Sequence, residues 1–200
     1  MNTLKSQRIT FFDVETPNGK GDSICSIGLI SCVNGIEVDR RYYLVDPEAP
    51  FWAMNIRIHG IRPVQVMDAP TFPQIWQEIE PWFTQGILVA HNAAFDMNVI
   101  KKCLLRYGLD VPPMLSICTV HLSRKHVNLD HYRLNDVCTY LQIPLEHHHH
   151  AMDDTIGCKG IFDYWASNGR IDEKDITVYS MDKTMKYRAY VKKNGSINLR

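Results

Sequence analysis

Three apolar runs fall within the first 45 residues with little chain between them, and this succession limits the fold more than any other feature. They cover residues 9–14, 23–32 and 37–45, and Asn34-Gly35 lies between the second and third. Asn-Gly between two apolar runs is a strong hairpin signal. A parallel return needs a crossover of about a dozen residues or more, so strands joined this tightly run largely antiparallel. Residues 47–73 then hold Pro47, Pro50, Pro63 and Pro70, which predicts a long loop with at most short helices. Beyond it, strand and helix patterns alternate. Phe72, Ile75, Trp76, Ile79 and Phe83 recur at helical spacing, with Thr71 as cap and Pro73 in the first turn. Residues 86–90 read as a buried strand, 93–107 as a helix ended by Gly108, and 114–120 as a further strand. Leu134–Leu141 and residues 151–167 read as helices. Antiparallel strands followed by strand–helix alternation predict an α/β fold: a mixed sheet covered by helices on both faces.

The 200 residues, 45% apolar and 22% charged, suit one domain with a proper core. We assign residues 1–170 to that domain and 171–200 to a short basic tail. Residues 183–200 carry six basic side chains and no acidic one, and Asn194-Gly195 between RAYVKK and SINL predicts a β-hairpin. That tail serves either as a solvated, edge-covering element or as a small basic surface along a phosphate backbone. Net charge is zero, so any grip on a polyanion must come from a local groove. No apolar run approaches the ~20 residues of a membrane span, and the N-terminus lacks the apolar core of a signal peptide. The six cysteines form no CxxC pair and sit among apolar residues, as small buried hydrophobes of a reducing compartment do. A cytoplasmic location is expected.

Three separated motifs carry the chemistry. In FFDVET, residues 11–16, Asp13 and Glu15 are two apart on a predicted strand and therefore share a face at its end. In HNAAFD, residues 91–96, Asp96 falls in the first turns of a helix, where an acid is favourable even without function. In HHHHAMDD, residues 147–154, histidines precede two aspartates. Gathered carboxylates are what hard divalent cations require, and a histidine beside them is what metal-assisted hydrolysis needs as a base.

The histidine run has three readings. An affinity tag would sit at a terminus, and this run is internal. A transition-metal site follows from the preference of zinc, copper and nickel for imidazole. In the third and favoured reading, one histidine acts and its neighbours are incidental. On an ideal helix His149 shares a face with Asp153, four residues on, but not with Asp154. His149 meets Asp154 only if it lies in the loop before the helix, which Pro144 makes plausible. Spacing alone leaves both aspartates open.

Together the motifs resemble the DnaQ-like 3′–5′ exonucleases, in the group that uses four acids and a histidine. The resemblance is greatest to the epsilon proofreading subunits of bacterial DNA polymerase III and their stand-alone relatives. It covers roughly residues 7–168 and includes NIRIHGI at 55–61 and HYRLNDVCTYLQIP at 131–144. It implies a ribonuclease-H-like, mixed five-stranded sheet flanked by helices. The family's third motif selects His149 and Asp154 and makes Asp153 a neighbour. The resemblance implies two divalent ions, magnesium or manganese. Asp13 would bridge them, Glu15 and Asp154 would complete one shell, and Asp96 would act through water. His149 would serve as general base. Thr16, Asn92 and Phe95 flank the acids and are expected to contact the terminal nucleotide, Phe95 by stacking; a helix residue packed into the core is the competing reading of Phe95. The implied partner is a single-stranded 3′ end, of DNA first and of RNA as the alternative. A non-catalytic nucleic-acid-binding or polymerase-associated module would be expected to have lost acids, and all five catalytic-type residues are present. Ser26 stands where many relatives carry an acid, and no clamp-binding motif follows residue 168, which favours a stand-alone nuclease over a polymerase partner.

Overall fold

The computed structural model describes residues 7–181 and 185–194. Its centre is a mixed sheet in the order β3-β2-β1-β4-β5-β6-β7. The strands are β1 (Arg8–Glu15), β2 (Ser26–Val33), β3 (Ile36–Leu44), β4 (Ile87–Ala90), β5 (Met114–Cys118), β6 (Ile176–Tyr179) and β7 (Met185–Lys186). β1, β2 and β3 form the antiparallel meander that their short links require, turning at Asn34 and Gly35, both with positive φ. β1, β4 and β5 run parallel. Their carboxyl ends share one edge, where open α/β sheets place their sites.

Alternation along β1 divides the core. Phe12 and Val14 pack with α3 (Phe72–Thr84) and α4 (Ala93–Arg106) on one face. Ile9 and Phe11 pack on the other with α5 (Thr119–His126), α6 (Leu134–Leu141) and α7 (Ala151–Ser167). Asp13 and Glu15 continue the second series, so they project toward the α7 side as the sheet ends. The Pro-rich loop contains only α1 (Ala53–His59) and α2 (Pro63–Val66).

Four expectations need correction. Among the described residues the sheet has seven strands, not five, because β6 pairs antiparallel with β5 and β7 with β6. The sheet therefore continues past residue 170, the expected domain end. The expected strand at 114–120 stops at Cys118. Thr119 and Val120 begin α5, and both are buried there, which is why they read as a continuing apolar run. RAYVKK lies within the helix α8 (Tyr187–Asn194), so it is no hairpin arm. An Asn-Gly pair favours a turn but does not dictate what precedes it; Gly195 and SINL fall outside the described residues.

All six cysteines are free, and five are buried. Among the described residues, no helix is long and apolar enough to cross a membrane.

Candidate functional site

β1 delivers Asp13 and Glu15 to the carboxyl edge, and the segment after it fixes that end. The Thr16 carbonyl accepts hydrogen bonds from Asn55 Nδ2 at 3.0 Å and from His59 Nε2 at 3.2 Å. His59 Nδ1 accepts from the Ile61 amide, so the ring is neutral with its proton on Nε2. The NIRIHGI segment thus clamps the strand end. Thr16 is itself buried, and its hydroxyl lies 3.3 Å from Asn55 Nδ2.

α4 brings Asp96, which is 2% exposed and accepts a hydrogen bond from the Val14 amide at 3.3 Å. Asn92 caps α4 in the left-handed conformation, with φ 64°, and is exposed. Phe95 is 48% exposed, so it is not a core residue but stands on the rim one position from Asp96.

α7 begins at Ala151, and the histidines lie in the loop before it. His149 has φ 72°, and its backbone amide donates to Asp154 Oδ2 at 3.1 Å. The condition under which His149 meets Asp154 is therefore satisfied. The four histidines divide between the two aspartates. His147 and His150 Nδ1 lie 3.0 and 3.5 Å from Asp153. His148 Nδ1 lies 3.1 and 3.2 Å from the two oxygens of Asp154, and its ring stacks on His149 with centroids 3.8 Å apart. His150 also stacks on Tyr42 of β3, which ties the loop to the sheet.

Asp13, Glu15 and Asp154 offer carboxylate oxygens within 4.8 Å of one another. Burial, reinforced by Asp154 and Asp96, pushes the Glu15 carboxyl up to about 8. Asp96 is likewise raised to about 8 by burial, against the opposing effect of its amide hydrogen bonds. Asp13 is raised by burial and then by Asp96, Glu15 and Asp154. Carboxylates under such mutual repulsion are a donor set for hard divalent cations, and the oxygen-only chemistry fits them. Burial and the neighbouring His148 lower the pKa of His149, with Asp154 opposing.

A cleft of about 430 Å³ opens on this cluster, lined by Asp13, His91, Arg133, Asn135, His149 and Asp154 among others. Sequence reasoning did not single out His148, Arg133 or Asn135. For His148 the available signal was its separation of six from Asp154, matching His147 and Asp153. For the other two it was the RLN of the 131–144 segment. His91 is half-buried: its Nε2 donates to the Tyr132 carbonyl at 2.9 Å, and its Nδ1 lies 2.9 Å from the Thr119 hydroxyl. Burial lowers its pKa to about 4, so it ties α5 to the cleft wall as a neutral ring.

The sequence profile of the RNase T exonuclease family matches residues 10–162. The chain is 32% identical over 155 residues to the PolC-type DNA polymerase III of Bacillus cereus, covering 76% of this chain and 11% of that protein. It is 35% identical over 147 residues to the Clostridium perfringens counterpart, covering 72% and 10%. The chain thus spans about a tenth of the length of the curated relatives it matches. Among solved structures it is similar to exonuclease X in complex with 5′-overhanging duplex DNA, with TM-score 0.63, 26% identity, and coverage of 80% of this chain and 93% of that one. It shares the fold of a DEDDh-family 3′-exonuclease nuclease domain bound to rAMP, with TM-score 0.71, 17% identity, and coverage of 84% and 96%.

Proposed function

The chain belongs to the RNase T exonuclease family, and we propose that it releases nucleoside 5′-monophosphates, one at a time, from the 3′ ends of single-stranded DNA. The observation that carries this reading is the convergence of Asp13, Glu15 and Asp154 within 4.8 Å at an open cleft. Likeness to PolC-type polymerases and to exonuclease X supports DNA over RNA as the polymer. The PolC-type relatives carry the matching segment inside a much larger polymerase. Its six free cysteines support a reducing, cytoplasmic setting.

Asp13, Glu15, Asp96 and Asp154 would hold two divalent ions, magnesium or manganese, which supply a water acidic enough to attack at neutral pH and neutralise charge on the scissile phosphate. His149 takes the proton of the attacking water. Its lowered pKa keeps the imidazole neutral at pH 7, as an acceptor must be. The water oxygen bonds to phosphorus, the bond from phosphorus to the 3′ oxygen of the preceding nucleotide breaks, and that oxygen takes a proton from solvent. Asn92 and Phe95, exposed on the rim, hold the terminal nucleotide, with the Phe95 ring stacked on its base. Thr16, buried and held by Asn55, fixes the end of β1 beneath that nucleotide.

The test is a time course on 5′-labelled single-stranded DNA and RNA oligonucleotides with magnesium, manganese or EDTA, and with Asp13→Ala in parallel. We expect a metal-dependent ladder shortening from the 3′ end, faster on DNA and absent in the variant. Faster shortening of RNA would replace the polymer and keep the chemistry. No ladder on either polymer would overturn the reading.

A further inference from the structure

We propose that His148, His149 and Asp154 form a second cation site, selective for a nitrogen-preferring ion of the zinc class, and that filling it switches hydrolysis off. The inhibitory consequence rests on the exonuclease reading; the binding of the ion does not.

The ligand atoms of His148, His149 and Asp154 all lie within 4.8 Å of one another. A tetrahedral shell with bonds of roughly 2.0–2.1 Å sets its ligand atoms roughly 3.3 Å apart. His148 Nδ1 and Asp154 already stand at that spacing, 3.1 Å apart. The His149 ring stacks on His148 with centroids 3.8 Å apart and an interplanar angle of 22°, so for both to hold one ion the His149 ring turns out of the stack and aims its in-plane lone pair at the point between His148 and Asp154. Two imidazoles and one carboxylate, with a fourth position open to solvent, are a donor set for zinc rather than for magnesium. The acidic group Asp13, Glu15 and Asp154 has the opposite character, with oxygen donors only.

Asp154 is common to both groups, and this sharing is the basis of the switch. An ion held by the two histidines draws Asp154 away from Asp13 and Glu15. It also occupies a nitrogen of His149, which then has no lone pair for the proton of the attacking water. No covalent chemistry is involved. Release of the ion restores both functions.

The experiment titrates zinc chloride into the full chain without magnesium, followed by calorimetry, with cobalt(II) as a spectroscopic stand-in for tetrahedral nitrogen and oxygen ligation. Even outer-shell partners of a metal cost roughly 10–100-fold in affinity when removed, so His148→Ala should weaken zinc by at least roughly tenfold. His147→Ala and His150→Ala, which touch Asp153, should leave the affinity within about twofold of wild type, as should Glu15→Gln in the oxygen-only group. His148→Gln, which keeps a polar side chain beside Asp154, repeats the test should the alanine variant fail to fold. With magnesium present, zinc should suppress oligonucleotide hydrolysis. His148→Ala should raise the half-inhibiting zinc concentration by the factor seen in binding, each rate normalised to its own zinc-free value.

Zinc affinity unchanged by His148→Ala, or abolished by His147→Ala, His150→Ala or Glu15→Gln, would overturn the assignment. If the wild-type chain with magnesium hydrolyses no oligonucleotide, the exonuclease reading falls and the calorimetric result still decides the site. If the enzyme is active and zinc binding ignores His148, only the present inference falls.

Discussion

The carbonyl oxygen of Ala151, at the start of α7, lies against Gly28 of β2 so closely that a β-carbon at residue 28 would meet it at 2.5 Å. Gly28 pairs in register with Asp13 on β1, and its own carbonyl accepts a hydrogen bond from the Thr155 hydroxyl at 3.2 Å. The missing side chain lets α7 begin directly on the sheet, and three residues later Asp154 arrives beside Asp13. In Gly28→Ala the obstacle is backbone, which cannot swing aside, so α7 must shift. Overpacking of this kind costs about 1–3 kcal/mol, and a displacement of about 1 Å at a catalytic constellation costs on the order of a hundredfold in rate. Thermal melts and oligonucleotide turnover should show a moderate fall in Tm with a disproportionate loss of activity. Full activity in a destabilised variant would show that this contact does not position the acids.

The acid cluster predicts a pH dependence of stability that reverses when metal binds. Without metal, Glu15 and Asp96 titrate near pH 8 in the folded protein, far above ordinary carboxylates, because burial and mutual repulsion disfavour their charged forms. The folded state then binds more protons than the unfolded one between about pH 4 and 8. Their contribution is fully present below the unfolded pKa values and is lost as pH rises through about 8. In EDTA, Tm should therefore decline from pH 5 to pH 8 on account of these groups. Magnesium or manganese should raise Tm most at the alkaline end, where the acids are ionised and unpaired. Identical melting curves at pH 8 with EDTA and with millimolar metal would count against the cluster as a cation site.

The parts of this arrangement that local pattern governs were legible in the sequence. In FFDVET the alternation of Phe11, Phe12, Asp13 and Val14 already states which side chains share a face, because a strand has period two. Asp96 at a helix start and the meander turning at Asn34-Gly35 are equally local. The pairing of His149 was not legible from spacing, because it depends on where α7 begins. That start is fixed by contacts distant in sequence, namely Ala151 on Gly28 and His150 on Tyr42. The role of His148 beside Asp154 was hidden for the same reason. β6 was missed because four residues, ITVY, carry too little pattern to announce a strand, and its place is set by pairing with β5. α5 was missed because its buried Thr119 and Val120 extend the apolar run of β5.

His149→Ala separates proton transfer from metal binding. Loss of a general base costs roughly 10²–10⁴ in rate, while Asp13, Glu15, Asp96 and Asp154 all remain. The variant should keep its magnesium-induced rise in Tm and lose most of its turnover. The pH profile has a definite sign. Burial and His148 hold the pKa of His149 below the ordinary histidine value of 6.5, so the neutral, accepting ring predominates at pH 7. The wild-type rate should be level near neutrality and fall in acid as His149 takes up a proton. A wild-type rate that rises steadily above pH 7, or an alanine variant with unchanged turnover, would remove His149 as the base.

Phe95 tests the grip on the substrate separately from the chemistry. Its ring is 48% exposed at the rim, one residue from the buried Asp96, so Phe95→Ala deletes no core packing and should leave Tm nearly unchanged. Stacking of a base on an aromatic ring contributes about 1–3 kcal/mol, equivalent to roughly fivefold to 150-fold in binding. If the terminal base stacks on this ring, KM for single-stranded oligonucleotides should rise by that order. The salt dependence of binding should stay as it was, because no phosphate contact is lost. Phe95→Trp should recover the affinity, since any aromatic face serves. Steady-state kinetics on one oligonucleotide at several salt concentrations would read both quantities, and an unaltered KM in Phe95→Ala would place the terminal base elsewhere on the rim.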